Sequence, residues 1–186
     1  VNEEGEATKA YSPLAVELLA EEEDLLLRLK PTEPGSPDAL RRIREAREPE
    51  LTGGAVLADA SYPRLIRAAL LYAYDAIDES HRIVQELHTA YASYWHGMLH
   101  RREGDFENAR YWFRRTGKLG VFPEMHARAA EVSPLMGRQM DWDPYVLVGQ
   151  CEQARFGGDV DQRELVALQR IEFKVMFDYL WRDAFA

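Results

Sequence analysis

Tyr62-Pro63-Arg64-Leu65-Ile66-Arg67-Ala68-Ala69-Leu70-Leu71-Tyr72-Ala73-Tyr74-Asp75-Ala76-Ile77-Asp78-Glu79-Ser80-His81-Arg82-Ile83-Val84-Gln85-Glu86-Leu87-His88 is the run on which the fold class turns. Ile66, Ala69/Leu70, Ala73, Ile77, His81, Val84 and His88 recur at three- and four-residue steps, the spacing that lines side chains along one face of an α-helix. Two histidines therefore fall in line with an apolar face. Pro63 suits a helix start, where its missing N–H costs nothing. The alternating β-branched pattern of a half-buried strand is absent from the whole chain.

Outward from this run the reading stays helical. Toward the N-terminus, Leu14, Leu18, Leu25 and Leu29 predict a helix from Pro13 to Leu29, with Glu21-Glu22-Glu23-Asp24 as its solvated face. Lys30 to Pro37 carries three prolines and a glycine and reads as a connector. Ser36-Pro37-Asp38 caps a charged helix through about Arg47, which Glu48-Pro49 should end. Thr52-Gly53-Gly54 reads as a loop, and as a mobile segment near any site. Toward the C-terminus, helices are predicted from Pro123 to about Ala130 and from Asp143-Pro144 to about Phe156, with Gly157-Gly158 as a break. Asp161 and Glu164 then form a capping box for a last helix whose stripe is Leu165, Leu168, Ile171, Val175, Tyr179 and Arg182. The expectation is a single all-α domain over residues 1–186, a compact bundle of about seven to nine helices. Its parts are acidic N-terminal helices and a loop (1–60), a hairpin pair (61–118) and C-terminal helices (119–186).

Compared with itself at a shift of 29 residues, the middle third shows an imperfect repeat. Ala68 matches Gly97, Leu70 matches Leu99, Ile77 matches Phe106, Asp78 matches Glu107, Ser80 matches Ala109 and Val84 matches Phe113. The segment Gly97 to Phe113, with Gly97 small, Gly104-Asp105-Phe106 as a turn, and Ala109 and Phe113 on the second helix, resembles the helical hairpin of tetratricopeptide repeats. That resemblance implies a concave side lined by Tyr91, Tyr94, Met98, Arg101 and Arg102. The Tyr-Trp-His, His-Arg-Arg-Glu and Tyr-Trp-Phe-Arg strings between Ser93 and Arg115 also look like an uncharacterised family of bacterial and fungal proteins, which has no assigned activity to lend.

The net charge of −9 is an average over unlike parts. Residues 1–60 carry −7, 61–120 carry +2 and 121–186 carry −4, and the mildly basic middle holds His81, His88, His96 and His100. An acidic total disfavours nucleic acid, which selects basic surfaces through counterion release. No apolar run approaches the roughly 20 residues of a membrane span, so no membrane partner is expected. The one cysteine, Cys151, forms no internal disulfide and reads as a buried, inert thiol. With neither a secretory nor a transit pattern in residues 1–6, the expected location is cytoplasmic.

Two constellations carry chemistry. His96 and His100, four apart on one helix, project together and could share a metal ion, with a third ligand from His81, His88, Glu79 or Glu86. The segment lacks the Glu of a His-Glu-x-x-His peptidase helix. Arg101 and Arg102, followed on the next helix by Arg110, Arg114, Arg115 and Lys118 and with Tyr94, Trp95, Tyr111 and Trp112 nearby, suit a carboxylate or phosphate held by forked hydrogen bonds and walled by rings. The plain alternative is solvated pairing of these arginines with Glu103, Asp105 and Glu107. Three functional readings stay open. One is a binding module for a small anionic ligand or acidic peptide end, walled by His81, Tyr94, His96, His100, Arg101 and Arg102. The second is a small enzyme, either using a divalent metal on His96, His100 and His81 or relying on histidine acid–base chemistry. The third is a protein–protein scaffold.

Overall fold

The computed structural model describes residues 11–21, 28–31, 33–54 and 59–183. It is all-α, with eleven helices and no strand among the described residues. They are α1 (Pro13–Glu21), α2 (Pro37–Glu45), α3 (Glu48–Thr52), α4 (Ser61–Ala73), α5 (Ile77–Val84), α6 (Ala90–Glu103), α7 (Phe106–Thr116), α8 (Phe122–Val132), α9 (Pro134–Gly137), α10 (Pro144–Arg155) and α11 (Gln162–Asp183). None is long and apolar enough to cross a membrane. The count exceeds the expected seven to nine because two single-turn helices, α3 and α9, sit where the sequence suggests loops. Pro49 is the cause at α3. It ends nothing, since α2 has already stopped at Glu45; instead its fixed φ opens a new turn from the second position. Ser133 does the same for α9 by accepting the Met136 amide, with Pro134 behind it.

The expected first helix is seen only as far as Glu21. Residues 22–27 lie outside those described, and Leu29 sits in a bend rather than a helix. The Ser36 cap on α2 is present, its hydroxyl accepting from the Ala39 amide. At α11, Asp161 caps the Arg163 amide as predicted, but Glu164 turns away to accept from the Ser133 hydroxyl, so the two never form a capping box. Residues of α11 off the predicted stripe, among them Gln169, Glu172, Phe173, Met176 and Trp181, are buried as well. This helix packs against α4, α8 and α10, and Arg163, Arg170, Lys174 and Arg182, the last a member of the predicted stripe, stay exposed.

The stripe from Ile66 to His88 is not one helix. The chain turns at Tyr74-Asp75-Ala76, where Asp75 takes a left-handed φ of 59°, and α5 folds back on α4. Twenty-nine residues later Gly104 takes φ 83° at the matching place, and α7 folds back on α6. The shift found in the sequence thus relates two helical hairpins whose second helices open at Ile77 and Phe106. In the second hairpin the pairing of small with large is tight: a Cβ on Gly97 would lie 2.7–2.9 Å from three ring carbons of Phe113. In the first, the Ser80 hydroxyl donates to the Ala68 carbonyl at 2.7 Å, giving a buried polar group its partner.

Helix α4 is the hub of the packing, touching α2, α3, α5, α6 and α11. Between α4, α6 and α11 runs an aromatic layer in which Tyr72 stacks on Phe173 and both meet Trp95 edge-on. Such rings bury large areas and add edge-to-face attraction to it. The result for function is that α6, which carries most candidate residues, is buried from Ala92 to Arg102 along its whole circumference.

Candidate metal centre

Three of the candidates converge. His81, on the second turn of α5, reaches across to His96 and His100 on α6, and one ring nitrogen from each lies within 4.8 Å of the others. His81 Nε2 and His96 Nε2 are 2.5 Å apart. The rings of His96 and His100 stack at 4.9 Å, and His81 meets both edge-on at 4.4 and 4.8 Å. Trp112, from α7, closes the other side, stacked on His96 at 3.8 Å between centroids. His96 and His100 are buried, whereas a quarter of the His81 side chain is exposed.

Glu103 serves two of the three rings. Its carboxylate lies 3.1 Å from His100 Nδ1 and 3.7 Å from His81 Nδ1. The neighbouring His100 and then His81 outweigh the cost of its partial burial and hold its pKa down at about 2. The contact with His100 lies off the N–H direction, so Nδ1 of His100, like Nδ1 of His96, is a buried nitrogen with no hydrogen-bond partner. Burial, reinforced by His81 and His100, lowers the pKa of His96 to about 3. A neutral imidazole with a free lone pair is the form that binds a metal. Two lone pairs cannot face one another at 2.5 Å, so one of the two Nε2 atoms carries the proton that the other accepts.

The other candidates lie elsewhere. Arg101 is buried and donates from both terminal nitrogens to Glu172, from Nη1 at 3.0 Å. Burial pulls its pKa down, but the Glu172 charge more than offsets this and keeps it firmly protonated. Tyr94 donates to the same carboxylate at 2.8 Å while accepting from Trp142 Nε1 at 2.7 Å. Arg102 bonds Asp75 and the Tyr72 carbonyl, with its guanidinium 4.9 Å above the Tyr72 ring. The histidines and arginines therefore do not wall one pocket. Tyr94, Met98, Arg101 and Arg102 are all buried, and of these Arg101 and Arg102 also border a small cleft beside the α6–α7 turn. Of the solvated pairs in the plain alternative, Arg110 takes Glu107, whereas Arg101 and Arg102 take none of Glu103, Asp105 and Glu107.

Of the proposed third ligands, His81 joins the pair while Glu79 and Glu86 pair with Arg44 and Arg64, and His88 is exposed. Cys151 is buried, and burial raises its thiol pKa. Thr52-Gly53-Gly54 closes α3 and borders an open groove of about 850 Å³ between α1, α2 and α3, which the histidines do not line. Sequence reasoning missed Glu103 and Trp112 as members of the cluster. Glu103 was legible, since it stands three residues after His100 and seven after His96 on one helical face. Comparison with known proteins finds no matching family model, no similar curated protein and no similar solved structure.

Proposed function

We propose that the protein binds a divalent transition-metal ion, zinc by preference, through His81, His96 and His100. The observation that carries this reading is the meeting of three imidazoles from two helices, one of them deeply buried and held neutral. Nitrogen ligands at about 2.0–2.1 Å from a tetrahedral zinc stand about 3.3 Å from each other. The present spacings, from 2.5 Å up to 4.8 Å, bracket that value. Glu103 would act behind the ligands, orienting His81 and His100 as carboxylates commonly do for metal-bound imidazoles. Three protein ligands leave a fourth position, and the partial exposure of His81 and Glu103 supports its being filled from solvent. The pairing of Arg101 and Arg102 with internal carboxylates weighs against a joint histidine–arginine site for an anion.

The test is titration of tag-free, metal-depleted protein with Zn²⁺, and with Co²⁺ for its visible spectrum. One ion should bind per chain, with the intense visible bands of a tetrahedral cobalt site. At free metal about 100 times Kd, binding should add roughly 2.7 kcal/mol to stability. Both effects should vanish in His96→Ala and weaken in Glu103→Gln. Binding below one equivalent, or binding unchanged in His96→Ala, would rule the site out.

A further inference from the structure

We propose that a second site, a cleft of about 190 Å³ beside the α6–α7 turn, binds a small oxyanion such as a phosphate or sulfate group. Its lining includes Lys30, Arg101, Arg102 and Arg155, with Gln162 among its neutral polar groups, and no carboxylate lines it among the described residues. In a chain of net charge −9 this arrangement runs against the composition. Arg101 and Arg102 are each answered by one carboxylate, Glu172 and Asp75. Lys30 and Arg155 have no ion pair among the described residues, so the cleft keeps a positive surplus at its exposed rim.

One further observation supports a ligand there. It is Gly104, which the turn needs for its φ of 83°: a Cβ there would stand 3.1 Å from Arg155 Nε and 3.4 Å from its Cζ. The glycine lets the guanidinium lie against the turn, which holds Arg155 at the cleft instead of free in solvent. Asp161, at the start of the helix carrying Gln162, is engaged with the Arg163 amide. The forked donors of Arg155, with the Lys30 ammonium in the same lining, match a tetrahedral oxyanion.

The experiment is titration of the full chain with inorganic phosphate and, separately, sulfate, followed by calorimetry and by ³¹P line shape for phosphate. Saturable binding of one anion per chain is expected, weakened by roughly tenfold or more in Lys30→Ala and in Arg155→Ala and kept in His96→Ala. Lys30 and Arg155 are exposed, so both variants should fold, which circular dichroism checks. The proposal is overturned by the absence of saturable binding, by equal binding in the Lys30→Ala, Arg155→Ala double variant, or by loss of binding in His96→Ala. The last result would move the anion to the histidine cluster.

Discussion

Removing the charge of Glu172 tests whether Arg101 is a structural or a ligand-binding group. Both side chains are almost wholly inaccessible, and the carboxylate accepts from Arg101 Nη1, Arg101 Nη2 and Tyr94 Oη. In Glu172→Gln the guanidinium remains buried without its counter-charge. Breaking one side of such a pair costs about 3–5 kcal/mol. For a chain of this size that corresponds to a fall on the order of 10 °C in Tm, and to a large share of the roughly 5–15 kcal/mol that folded domains possess. Arg101→Met should cost a similar amount, since it strands the carboxylate instead.

The double variant Arg101→Met, Glu172→Leu removes both charges and should lose far less than the sum of the single changes. Its remaining cost is the Tyr94 hydroxyl, which keeps its bond from Trp142 but loses an acceptor, worth about 1–3 kcal/mol. Urea denaturation of the wild type, Arg101→Met, Glu172→Leu and the double variant gives the cycle directly, with an interaction energy of several kcal/mol expected. Single variants that each cost less than about 1 kcal/mol and add in the double would refute the reasoning. The Arg101 charge would then be unpaired in solution and open to a ligand.

Three further outcomes follow from the same geometry. Gly97→Ala drives a methyl into the Phe113 ring and should cost about 1–3 kcal/mol in chemical denaturation, with Phe113→Leu in the same chain restoring part of it. Asp75→Asn keeps a residue that tolerates the left-handed φ of 59° but uncharges the Arg102 partner, for a loss of about 1–3 kcal/mol; Asp75→Ala should lose about 1–2 kcal/mol more for its backbone. For metal-depleted protein, His96 has a folded pKa of about 3 against an ordinary 6.5, so between these values the unfolded chain binds the extra proton. Stability should therefore fall as pH drops below 6.5, by up to about 1.4 kcal/mol per pH unit from this group. Glu103 adds a loss of the same sign between its ordinary 4.5 and about 2. His96→Asn should flatten the slope between pH 6 and 4, and an unchanged slope would show that His96 is already protonated when folded.

How far the site could be read ahead of the structure follows from the range of each interaction. His96, His100 and Glu103 share a face because they share a helix, and spacing alone reveals it. His81 was legible as a candidate because its hairpin repeats the next one at a 29-residue shift, although the unbroken stripe through Asp75 hid the turn that brings it across. The partners of the arginines were not legible. Glu172 is 71 residues from Arg101 and lies within a helix whose predicted stripe excludes it. Nothing local to a carboxylate in a helical pattern distinguishes a buried ion pair from a solvated face. The same limit applies to Pro49, where one residue type either ends a helix or begins one according to where the preceding helix has already stopped.

Helix α6 places His100, Arg101 and Arg102 in succession within a segment that is buried all round. Consecutive residues on a helix point about 100° apart, so these three side chains enter three different surroundings. Each arginine meets a carboxylate from another part of the fold, Glu172 on α11 and Asp75 in the α4–α5 turn. Those charges are answered within the chain, and the cost of burying them is largely met there. The histidine face differs in kind. It gathers three titratable rings around one carboxylate, excludes water from His96 with Trp112, and leaves two ring nitrogens without hydrogen bonds. A packed core would be served better by apolar side chains at those positions. His96, held neutral by burial beside two further rings, is the feature of α6 that the proposed metal would answer.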